Sequence, residues 1–461
     1  MLIRLKRIWD RLQGSLWFVP LAIVAAYFAL SFGMVALDRA LGDEVTKRLP
    51  VLFEAGPEGT RDMLSTIAGS ILSVAAVAFS FTIVVFSFAS SQYASRTIHS
   101  FMDDNTNQIV LGMLLGTFVY CLLILRTVRL ESDNPFVPLL STSVALVLAI
   151  VDLALFVLFI HHISESIQAY HIIRRVGSQT RKAIESLYPT HVHSALTEEE
   201  VGVLVDERNT VEVESRTDGY IQAVDTDYLM HMAERSDLLI VMHKGVGRFV
   251  VKGEALSLVG PAARVTQSVR RAVHSCFSLG HHRTILQDPQ YGLLQLSDIA
   301  IKALSPAIND PNTAVMSLNE ISSVLRTLAG RDIPRHVLCG SEGKPRLVTL
   351  GPTFESMVSQ AFDQIRRYGM ADATVAAKML DVIAEVAERT DLQEQRVALI
   401  EHVLAIREDA DRKLLSMRDR LYLNERLAPA AAALGIEAAV PPIAPISPSE
   451  QAHHAPAGAA T

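Results

Sequence analysis

The sequence predicts an α-helical integral membrane protein, with four transmembrane helices followed by an α+β cytoplasmic region made of a small β-domain plus helices. Three observations predict it. Half of the 461 residues are hydrophobic and only 20% are charged, where soluble chains average about a quarter charged. The apolar excess is concentrated in four stretches within the first third of the chain. Beyond them the pattern changes to short β-branched runs and then to amphipathic helical periods. The net charge of -7 argues against nucleic acid as a partner. Cys121, Cys276 and Cys339 lie far apart, which excludes a disulfide framework or a cysteine-rich zinc site.

The four stretches are 15–37, 63–89, 108–128 and 136–161. Each has about 20 or more mostly apolar residues, enough to cross a hydrocarbon core of about 30 Å at 1.5 Å per residue. Arg4, Lys6, Arg7 and Arg11 precede the first. Its apolar run is too long for a signal peptide and no A-x-A site follows, so it reads as an uncleaved anchor with Trp9 and Trp17 at the interface. Basic residues flank the first span and follow the fourth at Arg174, Arg175, Arg181 and Lys182, which places both termini in the cytoplasm of a bacterial inner-membrane protein. The loop 38–62 is then external and acidic. The loop 92–107 is cytoplasmic by parity, although Arg96 is its only arginine and it has no lysine.

The second span is the most patterned. Thr66, Ser73, Ser80 and Ser87 recur every seven residues, with Ser70, Val77, Val84 and Ser91 between them, a small, mildly polar seam down one helix face. Phe79, Phe81, Phe86 and Phe88 lie off it. Either the seam is a close-packing surface between helices, or the seams of several copies line a water-filled path. In the third span, Gly112 and Gly116 form a GxxxG pair suited to close helix contact, and Arg126 near its external end reads as a snorkelling anchor.

Asp152 lies deep in the fourth span. A charge there costs about 2.5 to 3.5 kcal/mol on insertion scales. Arg126 is more than about 10 Å away along the membrane normal at 1.5 Å per residue, so the hydroxyl of Ser80 or Thr117 is the better partner. The residue serves either a structural hydrogen bond or an ion or proton role. His161 and Glu165 share a helix face as a potential ligand pair, although two ligands do not make a metal site and none is expected.

From Ser164 an amphipathic helix continues the fourth span. Short strands are expected at 211–214, 219–224, 238–242, 248–251 and 255–259, with a helix at 226–235 and turns at Gly245, Gly247 and Gly253. GYIQAVD and GVGRFVVKGEALSLV are similar to the cores of biotinyl and lipoyl carriers, but neither Lys244 nor Lys252 sits in a carrier turn, so a small structural β-domain is the reading. In SDIAIKALSPAINDPNTAVMSL, Ser305 and Pro306 end one helix and Asp310 N-caps the next. Asn309, Asp310, Asn312 and Thr313 gather oxygen groups there, either as a helix corner or as a ligand site. Arg270, Arg271, His274, His281, His282 and Arg283 cluster upstream, to pair with acids such as Asp288 and Asp298 or to bind an anion. Two or three amphipathic helices follow. The resulting plan is a transmembrane domain at 1–163, a connecting amphipathic helix at 164–198, a β-rich domain at 199–261, a helical domain at 262–427 and a disordered tail at 428–461.

FSFTIVVFSFASSQYASR, GTFVYCLLILR, GYIQAVD and, above all, ALSPAINDPNTA resemble a bacterial family of predicted membrane proteins, domain-of-unknown-function family 2254, over most of the chain. One departure is Ser95, where the family tends to have proline before the arginine. The resemblance implies a cell-membrane location and the same four-span plan, without a substrate, catalytic residues or a cofactor. No HExxH, P-loop, GxSxG or GxGxxG occurs, so the expectation is not an enzyme. Two classes of function stand open: a homo-oligomeric channel or transport protein gated by its cytoplasmic domain, and a membrane-anchored regulator or scaffold that transports nothing.

Overall fold

A computed structural model describes residues 17–46, 56–92, 105–128, 136–166, 168–188, 209–331, 333 and 337–445. The chain divides into two compact units, Met1–His171 and Ile172–Thr461.

The first unit contains α1 (Phe18–Thr46), α2 (Pro57–Gln92), α3 (Asn105–Leu125) and α4 (Leu139–Ser166). All four are long and apolar enough to cross a membrane. Half of the α3 span is buried against 17% of each of the others, so α3 is the central post on which α1, α2 and α4 pack. The two glycines of α3 make this possible. A Cβ at Gly112 would lie 2.9 Å from the Pro20 Cα, and one at Gly116 would lie 2.8 Å from the Tyr27 ring. The GxxxG spacing therefore marks the contact of α3 with α1.

Two expected boundaries move. Asp38 was placed in an external loop, whereas α1 runs through it to Thr46 and α2 starts at Pro57. Asp38 is buried and caps another helix: its carboxylate accepts from the backbone N–H groups of Leu140 at 2.8 Å and Ser141 at 2.9 Å, and from the Ser141 hydroxyl. Pro138 precedes α4, so the helix lacks a capping side chain at that position, and α1 supplies one for its orphan donors. Tyr120 of α3 completes the junction by donating to the Ser141 carbonyl at 3.0 Å.

In the second unit, strands β1 (Val211–Glu214), β5 (Ala255–Gly260), β3 (Leu239–Met242), β8 (Pro345–Val348) and β7 (Val337–Cys339) form one sheet in that order. β3 and β8 pair in parallel and the other neighbours antiparallel. Strands β4 (Phe249–Val250), β2 (Gly219–Val224) and β6 (Phe277–Gly280) form a second sheet. The β-rich part is thus not confined to 199–261, because β6, β7 and β8 are contributed from within the segment expected to be helical. Each of these strands is four residues or fewer, too short for periodicity to identify. Helix α6 (Thr226–Ser236) is capped by Asp225, and it shares a core with both sheets and α7 (Gln267–Cys276) through Ile221, Leu229, Ile240, Leu256 and Val273.

Helices α8 (Pro289–Ala303), α9 (Pro311–Leu328), α10 (Phe354–Gly369), α11 (Ala373–Ala387), α12 (Gln393–Lys413) and α13 (Met417–Leu434) form the remainder. From Thr353 onward, α10 to α13 are four helices where two or three were expected. The fourth membrane-length helix ends at Ser166, and the amphipathic segment expected after it forms a separate helix, α5 (Ala169–Leu187). Its buried stripe packs on protein: Gly292 of α8 has no Cβ because Thr180 occupies the space, and Arg181 pairs with Glu320 of α9 at 2.6 Å.

The tail expected to be disordered from Ala428 has a defined structure to Pro445. Alanine is the best helix former, and α13 runs to Leu434, where Gly435 turns left-handed at φ 70°. Val440 and Ile443 are buried beyond it, and Asn424 brackets Ile443 through both its backbone groups. Residues 446–461, with His453 and His454, lie outside the described residues, as do Trp9 and the basic residues before the first span.

Candidate functional site

The structure separates the two features of the membrane-length helices that sequence had grouped. On α2 the buried positions are Thr60, Leu64, Ala68, Ile71, Ala75 and Ala78. The seam positions Thr66, Ser70, Ser73, Val77 and Ser80 each follow one of these by two residues, about 200° around a helix. The seam therefore faces directly away from its own bundle, and Thr66, Ser70, Ser73, Ser80 and Ser87 are all exposed. Ser73 satisfies its hydroxyl by bonding back to the Gly69 carbonyl at 2.9 Å. Phe79, Phe81, Phe86 and Phe88 are exposed on either side. The seam does not pack α2 against its own bundle, because larger residues and alanines on the opposite face do that.

Asp152 faces inward. It belongs to the stripe Ala145, Asp152, Phe159 of α4 and is fully buried. Its neighbours are Thr117 and Cys121 of α3 and Tyr27 of α1. Thr117 is also fully buried, and its Oγ1 lies beside the carboxyl without reaching hydrogen-bond geometry, so both Asp152 oxygens and Thr117 Oγ1 are unpaired. Of the two partners expected from depth, Thr117 is beside the carboxyl, and Ser80 is on the outer face of α2. Sequence reasoning missed Tyr27. The signal was available, since Gly116 immediately precedes Thr117 and marks where α1 comes closest.

At one end of this unit, Arg39 and Arg126 border a cleft of about 860 Å³ floored by Ser31, Phe32, Val35 and Phe136. The Arg39 guanidinium stacks 5.6 Å over the Phe136 ring. Arg126 is exposed. At the other end His161 Nε2 and Glu165 Oε1 are 3.5 Å apart and exposed. No group of three metal-ligating side chains occurs among the described residues.

In the second unit, the Asn309 to Thr313 segment is a helix joint. Asp310 accepts from the Thr313 N–H at 3.1 Å and the Thr313 hydroxyl at 2.6 Å, so both its oxygens serve the α9 N-cap. Asn309 takes a left-handed φ of 49° to make the corner, and Asn309 and Asn312 are exposed. Within the upstream basic cluster, Arg283 grips Asp288 with Nε at 2.9 Å and Nη2 at 3.0 Å, while Asp288 caps α8 through the Tyr291 N–H. Burial pushes the Asp288 carboxyl above the usual carboxylate range, against the pull of Arg283. Burial also lowers the His274 imidazole, with Arg216 adding to the effect. Beside these, a cleft of about 730 Å³ is lined by His243, Lys244, Arg248, Gln290, Thr353 and Ser356, among others. Lys244 is paired with Glu254.

Four helices of membrane length followed by an α/β unit define a multi-span membrane protein. The chain belongs to the family described as Predicted membrane protein (DUF2254), which it matches over residues 13–385. It is 30% identical over 430 residues to the uncharacterized protein Rv1290c of Mycobacterium tuberculosis, spanning 91% of this chain and 81% of that one. The uncharacterized protein Mb1321c of Mycobacterium bovis is similar to the same extent, 30% over 430 residues with the same coverage. No solved structure matches.

Proposed function

We propose that the protein is a homo-oligomeric channel or transport protein for ions or small solutes in the bacterial inner membrane, with both termini and the second unit in the cytoplasm and that unit acting as the gate. The observation that carries this is the outward direction of the α2 seam. A row of hydroxyls facing hydrocarbon gains little from lipid, whereas copies arranged in a ring bring their seams together around a shared polar path. The exposed phenylalanines flanking the seam then serve as contacts between copies or as a constriction. The reading involves no catalysis.

A second reading is favoured by the cleft between His243 and Ser356. A unit with its own core and a polar cleft is equipped to bind a ligand as a membrane-anchored regulator, with the four helices only holding it in place. One experiment separates the two. The purified full chain is sized in detergent and reconstituted into liposomes for ion flux, alongside Ser80→Leu and Ser87→Leu. An oligomer with flux that both variants suppress supports the channel, and a monomer with background flux removes it.

A further inference from the structure

We propose that Asp152 is a proton-binding site: its carboxyl takes up and releases a proton inside the four-helix bundle, beside Thr117 and Tyr27. Asp152 has no exposed surface, and neither of its oxygens has a hydrogen-bond partner. An ionised carboxylate in such a place costs several kcal/mol unless a counter-charge neutralises it. Among the described residues no cationic side chain faces it: Arg61 and Arg126 lie at helix ends, and Arg39 lies at the end of the apolar span of α1. The elements packed around it present Tyr27 from α1 and Thr117 and Cys121 from α3. The inward face of α2 offers Leu64, Ala68, Ile71, Ala75 and Ala78, none of which titrates.

What neutralises the carboxyl must therefore be small and carried by the carboxyl itself. A hard metal cation would require roughly six oxygen ligands, and the side chains here supply the carboxylate, one threonine hydroxyl and one tyrosine hydroxyl. A proton requires only the carboxyl. Once protonated, the group becomes a hydrogen-bond donor, and the unpaired Thr117 Oγ1 beside it is an acceptor within reach of a small side-chain rotation. An arrangement in which donor and acceptor adjoin without being locked together favours exchange over permanent burial. Tyr27, half-buried on α1, places a second hydroxyl beside Thr117 and the carboxyl.

This site is independent of the α2 seam, which faces the opposite way, and it stands whether or not copies form a channel. The test is infrared spectroscopy of the full chain in liposomes. At neutral pH the wild type is expected to show a protonated-carboxyl stretch that shifts on transfer to heavy water, disappears on alkalinisation and returns on neutralisation. Asp152→Asn removes the band, and Asp152→Glu, which keeps a titratable carboxyl, displaces it. Thr117→Val leaves the carboxyl in place but moves the pH at which the band disappears. If no band is lost in Asp152→Asn, or if sodium at constant pH removes the wild-type band, the site is not a proton site. A band that neither exchanges nor titrates in the folded protein would make Asp152 a permanently neutral packing group and would also overturn the proposal. If Asp152→Asn fails to yield folded protein, the displaced band of Asp152→Glu and carboxyl-labelled aspartate in the wild type decide the assignment. Background ion flux with a titrating band would remove the channel reading and leave this one standing.

Discussion

Asp152 and Asp288 are both buried aspartates, one in each unit, and their surroundings differ in almost every respect. Asp288 accepts two hydrogen bonds from Arg283 and one from the Tyr291 backbone. Asp152 accepts none. The comparison teaches that burial alone does not assign a role. Asp288 is tied into the fold by three donors and caps a helix, so its charge is used for stability. Asp152 has nothing to hold, and its chemistry is free for another purpose.

Substitutions at the two sites put this difference at risk most directly. Asp288→Ala leaves Arg283 without its partner and α8 without its cap, and the expected loss is about 3 kcal/mol, the low end for a broken buried pair because Arg283 keeps some contact with water. Asp152→Asn is expected to change stability by less than about 1 kcal/mol, as a volume-conserving exchange of one unpaired polar group for another. Denaturant unfolding of the solubilised full chain measures both, and equal losses would erase the distinction.

Between these extremes lies the packing of α3. Gly112→Leu has no room against the Pro20 backbone, and overpacking of this kind costs about 1 to 3 kcal/mol. The measurement is the midpoint of thermal unfolding in detergent, and an unchanged midpoint would mean that α1 can move away freely. Asp38→Ala withdraws the cap from α4 and is expected to cost about 1 kcal/mol, with Asp38→Asn recovering part of it.

The smallest effect concerns pH and belongs to the second unit. Burial holds the His402 imidazole below its ordinary 6.5, against the opposing influence of Asp363. Its ring lies 5.6 Å from Phe362 and its Nε2 is 3.4 Å from the Ser359 hydroxyl. The unfolded chain therefore binds the proton more readily than the folded one. Its contribution to stability is complete above pH 6.5 and is lost as pH falls toward the folded value. His402→Gln should flatten stability against pH in that window, and an unchanged slope would exclude the residue as its source.

The legibility of the molecule followed the range of the forces involved. The four apolar helices were readable because span length is set by local composition and a fixed rise per residue. The N-cap at Asp310 was readable because its partner, Thr313, is three residues away. The seam of α2 was visible as a pattern, but its direction was not. Serines and phenylalanines alternate on the outer surface, and the inward face is marked by Leu64, Ala68, Ile71 and Ala75, residues no more apolar than those facing out. Asp38 was assigned to a loop because its partners are more than a hundred positions further along the chain. The alanine and proline content of the run after Ala428 predicts disorder, although alanine extends a helix wherever a neighbour such as α11 offers a surface.

The distance between Asp38 and its partners also sets a timetable for biosynthesis. At about 5 to 20 residues per second, the 102 residues between Asp38 and Leu140 take roughly 5 to 20 s to be synthesised. During that interval α1 is complete and the Asp38 carboxylate must remain hydrated near the edge of the apolar span. Only when the first turn of α4 emerges do the N–H groups of Leu140 and Ser141 replace that water. The last of the four membrane-length helices thus adds a fastening to the first, and a chain interrupted before Ser141 leaves Asp38 without these partners.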